Sequence, residues 1–370
     1  MMKRVLRGAL SGLAFSLLIL LIGEAALGQA QALDRSLAAV SAPGSAHAQT
    51  PQTWRAAVPF TGTHSLYLPA IAGGVAPPAL TVDIRNRANV LAVYAAYHET
   101  APPVESGWTG NSAACDAGTT TPAYRKSLQD LVNFFRAMAG VPPQISFIDE
   151  YNAKAQQAAL MMSVNGELSH EPPPTWQCYS AEGAEAAGRS NISIWYGLGN
   201  AYHGIKGQME DDGDNNAAVG HRRWILCPAT RYMGTGDVPE AGDFMAANAL
   251  WVMDDHWMDP RPPLRDEFIA WPPSGYVPDN LVYARWSFSL RDADFSGATV
   301  RVRYQGADLP IQREPEELNI CENTLVWIPS IDWGSLSTSQ DHRFDVEIAG
   351  VQIDGSTRTF TYDVHVVMVD

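Results

Sequence analysis

The hydrophobic period changes along this chain. Between residues 124 and 209 apolar side chains recur at helical spacing; beyond residue 298 they recur every second position, as in half-buried strands. A chain divided in this way is expected to fold as an α+β protein, a helix-containing unit followed by an all-β one. Leu128, Leu131, Val132, Phe135, Met138 and Ala139 form one stripe, which predicts a helix over 124–139 that stops at Gly140, with Pro142 and Pro143 preventing its resumption. A second helix is expected after Asp149 as its cap, with Tyr151, Ala155, Ala158, Ala159 and Met162 inward and Gly166 at its end. A third fits 198–209, with Leu198, Ala201, Tyr202, Ile205 and Met209 inward. Residues 219–226 begin polar and end in Trp224, Ile225 and Leu226, and are expected to become a buried strand. Residues 82–98 suit either a helix or a strand. Prolines 260, 262, 263, 272, 273 and 278 mark a connector. Beyond it Val300, Val302 and Tyr304, then Phe344, Val346 and Ile348, then Phe360, Tyr362, Val364, Val366 and Met368 alternate with polar residues, and Gln305-Gly306 and Asp354-Gly355 supply turns. This is the pattern of a β-sandwich.

The N-terminus reads differently. Lys3, Arg4 and Arg7 precede an apolar run from Ala9 to Ile22, and small residues Ala26 and Gly28 follow. Residues 1–28 are therefore expected to be a secretory signal peptide, with an uncleaved anchor as the alternative. Its removal takes Lys3, Arg4, Arg7 and Glu24, moving the formal charge from −15 to about −17. No later stretch is apolar enough to span a membrane. Residues 29–80 are rich in Ala, Pro, Gly, Ser and Thr and read as a linker, with a short apolar patch at 64–72. With 46% hydrophobic and 18% charged residues the chain is not broadly disordered. Its 40 acids against 25 bases argue against a nucleic-acid partner. Cys115, Cys178, Cys227 and Cys321 are spaced too widely for a metal knuckle, and an exported chain would use them as two disulfides. Three pairings are possible; Cys115–Cys178 with Cys227–Cys321 is preferred.

No nucleophile elbow, phosphate loop, dinucleotide fingerprint or zinc helix of the HExxH type occurs. Asp212, Asp214 and Asn216 resemble the start of a calcium loop, but Ala217 and Arg223 stand where Gly and Glu are needed, so a solvated turn is the better reading. Asn191-Ile192-Ser193 is a glycosylation sequon whose apolar flanks favour a buried strand. Arg222 and Arg223 are expected to pair with the acidic loop 211–216.

Several short words occur in order: Leu131-Val-Asn-Phe-Phe-Arg136, Ala139-Gly140 with prolines behind, Ala155-Gln-Gln-Ala-Ala159, Leu168-Ser-His170, Gly188-Arg-Ser-Asn-Ile192 and Gly220-His-Arg-Arg223. Together they resemble the CAP superfamily, the SCP-like domains of cysteine-rich secretory, antigen 5 and pathogenesis-related proteins, in its bacterial branch. The resemblance implies an α-β-α sandwich CAP domain over 124–259, preceded by an extension over 81–123 and followed by a β-sandwich-like domain over 260–370. It also implies a cleft lined by two histidines and two acids, in which the histidines can hold a divalent cation such as zinc. By motif the histidines are His170 and His221. The glutamate of the family's G-E-N motif falls at Ser190, in the word Gly188-Arg-Ser-Asn-Ile192, and Asp211 is favoured for the other acid; Glu182 or Glu185 could replace the lost carboxylate.

Two imidazoles and a carboxylate can hold zinc with an open position, and a zinc-bound water can hydrolyse an ester or peptide. Ser190 weakens that reading, because a hydroxyl takes no proton at neutral pH unless another group activates it. The preferred reading is a secreted, non-enzymatic module that binds a small molecule, lipid, glycan, protein or divalent metal at His170, Ser190, Asp211 and His221. A metal-assisted extracellular hydrolase and a surface structural protein are the alternatives.

Overall fold

A computed structural model describes residues 80–99, 104–197, 201–318 and 320–369. The expected signal peptide, almost all of the linker with its apolar patch, and Leu198 lie outside the described residues, as do the side chains of Ala201 and Tyr202.

The extension holds helix α1 (Arg87–Tyr94), which settles the ambiguous segment as helical; Asn86 caps it by accepting from the Asn89 amide at 3.1 Å. Helix α2 (Pro122–Ala139) starts on Thr121, whose side chain accepts from the Tyr124 amide, and stops on Gly140 at φ 78°. Its second half is buried on all sides, from Leu131 to Ala139, so its apolar surface is wider than the one stripe read from the sequence. Strand β1 (Ser146–Phe147) leads into helix α3 (Asp149–Asn165). Asp149 is not its cap. Ile148 occupies that position without a side-chain bond, while Asp149 and Glu150 lie in the first turn, where the helix dipole favours acids.

Helix α4 (Ala181–Arg189) runs straight into strand β2 (Ser190–Trp195); helix α5 (Ala201–Glu210) follows. Residues 219–226, expected as a strand, form instead the short helix α6 (Gly220–Ile225). An apolar run of three residues carries no period, and helical winding lets both arginines of this segment reach carbonyl groups that a strand would have left on opposite faces. Strands β3 (Tyr232–Val238) and β4 (Ala246–Trp251) complete a sheet of order β1-β3-β4-β2, parallel only at β1–β3.

Alternate residues of β4 serve different cores. Ala247, Ala249 and Trp251 pack with Ala155, Ala159, Ala186 and Ala187 of α3 and α4, whereas Leu250 joins the core of Leu131, Phe135, Ile205 and Met209 from α2 and α5. This is an α-β-α sandwich. Close contact of α3 with the sheet depends on glycine: a Cβ on Gly236 would lie 2.1 Å from the Ala155 carbonyl carbon, and one on Gly234 2.5 Å from the Tyr151 Cβ.

The remainder is β-rich. Strands β5 (Ile269–Trp271), β6 (Gly275–Pro278) and β7 (Trp286–Ser289) lie partly inside the segment read as a proline connector. They are too short to establish a period, and their prolines hid them. Then come β8 (Thr299–Tyr304), β9 (Ala307–Asp308), β10 (Ile311–Arg313), β11 (Thr324–Pro329), β12 (His342–Ile353) and β13 (Ser356–Val367). Two sheets result, β10-β11-β7-β5 and β6-β13-β12-β8-β9. Trp286 of one meets Phe344 of the other at 5.9 Å between ring centres, and Phe288 meets Phe360 at 5.2 Å, so the sheets face each other across an aromatic core. That core is continuous with the one beneath α2 and α5. The extension docks here: the Ile84 carbonyl accepts from the Tyr276 amide, Arg85 pairs with Asp363 and Arg87 with Asp341. Disulfides join Cys115 to Cys178 and Cys227 to Cys321.

Candidate functional site

His170 follows the end of α3, where Gly166 at φ 62° turns the chain. Its Nδ1 lies 2.8 Å from the carbonyl oxygen of Ala187 on α4. A carbonyl can only accept, so Nδ1 carries the proton and Nε2 is the ring's available nitrogen. His221, on the first turn of α6, is held in the same way: its Nδ1 donates to Asp211 Oδ1 at 2.7 Å. Both rings are thus pinned from behind through Nδ1, an arrangement that fixes ring orientation.

Asp211 is 1% exposed and sits at φ 57°, a left-handed position that Asp tolerates better than most residues. Oδ2 accepts from the Arg222 amide at 3.2 Å, and the Asp211 carbonyl accepts from Arg285 Nη1 at 3.0 Å. The carboxylate is therefore fully engaged behind His221 and does not line the cleft.

The cleft itself has a volume of about 860 Å³. His170, Ser190 and His221 all line it. Of the four residues proposed from the sequence, three share this cavity and Asp211 supports one of them from outside. Ser190 is 3% exposed and its Oγ has no hydrogen-bond partner. It is bonded to neither histidine. Glu182 and Glu185 do not line the cleft; Glu185 holds Lys154 at 3.0 Å on the outer surface. Among the described residues no three His, Cys, Asp or Glu side chains come together to hold a metal ion. Two imidazoles are fewer than the three protein ligands usual for a catalytic zinc.

Behind the cleft runs a chain of buried amides. Asn191 Nδ2 donates to the His221 carbonyl at 3.0 Å and to Gln208 Oε1 at 3.2 Å; Gln208 Nε2 donates to Asn248 Oδ1 at 3.0 Å; Asn248 Nδ2 donates to Asp237 Oδ1 at 2.8 Å. Asn191 of the sequon is thus buried in β2 and occupied. Burial pushes the Asp237 carboxyl up to about 7, although Thr235 and Asn248 hydrogen bonds oppose the rise.

The two guanidinium groups form no ion pair with the acidic side chains of 211–216 among the described residues; they hydrogen-bond mainly to carbonyls. Arg222 donates to the carbonyls of Met209 at 2.6 Å, Glu210 at 2.8 Å and Arg285 at 2.8 Å. Arg223 donates to the carbonyls of Glu317 at 2.9 Å and Glu322 at 3.0 Å. Burial lowers each guanidinium to about 10. Asp212 and Asp214 stay exposed, as a solvated turn would. The sequence also concealed Arg136, fully buried in α2, whose guanidinium donates to the carbonyls of Pro142, Ile225 and Cys227 at 2.8–2.9 Å and so closes the C-terminus of α6. Its only signal was a cation among apolar neighbours.

Residues 129–254 match the family model of the cysteine-rich secretory protein family, CAP, so this segment is a CAP domain. No curated protein matches the chain.

Proposed function

We propose that the chain is an exported CAP-domain protein whose cleft binds a small amphipathic ligand without turning it over. The observation that carries this reading is the cleft wall itself: two imidazoles pinned through Nδ1 face a cavity of ligand size, with an unpartnered serine where a catalytic carboxylate is expected. Trp195, Tyr196, Trp224 and Met253 line the same cavity and would receive an apolar body. The two disulfides suit an extracellular setting, and no helix among the described residues is long and apolar enough to cross a membrane.

The test is titration of 1-decanol, below its solubility limit, into the full chain, followed by tryptophan emission. Gly207 lines the cleft, and a Cβ there would meet nothing within 4 Å, so Gly207→Leu fills the cavity without a backbone clash. Binding should be lost in Gly207→Leu and weakened roughly tenfold in a His170→Ala/His221→Ala double variant, the scale of one lost buried hydrogen bond. Equal affinity in all three proteins would refute the reading. Turnover of peptide, ester or peptidoglycan substrates above a His221→Ala control would favour a hydrolase instead.

A further inference from the structure

Four glutamates lie between β10 and β11, on a loop that belongs to the β-sandwich and not to the CAP domain. Three are in ion pairs: Glu314 with Arg285 at 3.3 Å, Glu316 with Arg313, and Glu322 with Arg261 at 2.7 Å. Glu317 is in no ion pair among the described residues, and it is the one that lines the cleft. It is also the only acidic residue on that lining among the described residues.

Residues on both sides of Asn319 are tied to α6 and the residues around it. Arg223 holds the Glu317 and Glu322 carbonyls with one buried guanidinium, and Cys321 is bonded to Cys227 just beyond α6. Ile320, also on the cleft wall, places its Cδ1 3.4 Å from where a Cβ on Gly220 would lie, one residue before His221.

We infer that this loop is the selectivity wall of the cleft, and that Glu317 makes the cleft take a primary ammonium carried on an apolar body. The inference rests on the cleft being a binding site. Available Nε2 atoms on His170 and His221 and the buried, unpartnered Oγ of Ser190 can all accept hydrogen bonds, and the Glu317 carboxylate adds negative charge. A primary ammonium brings three N–H donors and a positive charge, the complement of that set. Leu168, 44% exposed, and Tyr196, 62% exposed, stand on the lining with Ile320 to receive its apolar part. Arg223 donates to two carbonyls and acts on the Glu317 carboxylate through space, without an ion pair between them among the described residues.

Decylamine, 1-decanol and decanoate share a tail and differ in the head. Each is titrated into the full chain at pH 7 below its micellar range, with tryptophan emission as readout. Decylammonium should bind about tenfold more tightly than decanol, and decanoate more weakly than either. Glu317→Gln should bring decylammonium to the level of decanol, whereas Glu105→Gln, at an exposed acid away from the cleft wall, should leave the preference intact. A preference that survives Glu317→Gln overturns the inference, since the overall acidity of the chain then accounts for it; absence of any preference overturns it too. If decanol binds and Gly207→Leu abolishes it while all heads bind alike, only the inference falls. If none of the three binds, the binding-site reading falls with it.

Discussion

Asp237→Asn should stabilise this protein at pH 8 and change little at pH 4.5. In the fold, burial holds the Asp237 carboxyl at about 7; in the unfolded chain it returns to the ordinary value of about 3.9. Between those values the folded state binds more protons than the unfolded one, so this group makes stability fall as pH rises through that window, and the loss is complete above the folded value. A gap of about three units is worth about 4 kcal/mol as an upper limit, at about 1.4 kcal/mol per unit, and 2–4 kcal/mol is expected. Asparagine removes the charge and keeps the contacts. Its carbonyl can accept from Asn248 Nδ2 as Asp237 Oδ1 does at 2.8 Å, and its amide can donate to Thr235 Oγ1, now 2.8 Å from Oδ2. The assay is urea denaturation of both proteins at several pH values from 4.5 to 8, with m-values compared to verify a common transition. Burial also raises the carboxyls of Glu210 and Glu322, but these titrate alike in both proteins and drop out of the difference. Wild-type and variant stabilities that run parallel within about 0.5 kcal/mol across that range would refute the reasoning, because they would show that Asp237 does not titrate inside the core.

Three other perturbations address the scaffold. Gly236→Ala, whose methyl would meet the Ala155 backbone at 2.1 Å, should lower the melting temperature by roughly 5–10 °C, whereas Gly297→Ala, in open space, should not move it. Arg136→Met leaves three carbonyls without their donor and should cost about 3–5 kcal/mol in chemical denaturation, after allowance for the relief of a buried charge. A Cys227→Ser/Cys321→Ser double variant opens a loop closed across 94 residues and should lose about 2–4 kcal/mol, and with it the preference for decylammonium over decanol.

What could be read from the sequence were the long periodic elements and their stops. Helices α2 and α3 end on Gly140 and Gly166, both left-handed, and β8, β12 and β13 follow the alternation. The histidine pair was legible only as words in order, since neither His170 nor His221 lies in a periodic run. The misses share a cause. Helix α6 and strands β5, β6 and β7 are each six residues or fewer, too short for a period to distinguish winding from extension. Asp211 sits behind His221 instead of facing the cleft because a left-handed residue turns the chain there, and backbone handedness is not written in a residue whose side chain tolerates either form. Glu317 was invisible for a plainer reason: it is 96 positions from His221, and the Arg223 clamp and Cys227–Cys321 bond that bring it to the cleft are tertiary.

Helix α6 ties these parts together, and its chemistry argues that the cleft does not belong to the CAP domain alone. Gly220, His221 and Trp224 line the cavity; the two arginines between His221 and Trp224 do not line it and are bound mainly to carbonyls. Arg222 reaches the Arg285 carbonyl beside β7, while Arg285 returns a bond to the Asp211 carbonyl, so the acid that orients His221 is itself held by the β-sandwich. A chain cut near residue 259 would leave both guanidinium groups and the Asp211 carbonyl without these partners, in a buried setting where unpaired polar groups are costly. His221 would then lose the support that fixes its ring, even with every word of the CAP pattern still present. The β-rich region is accordingly part of the cleft's construction, since its Glu317 and Ile320 line the cavity beside His221.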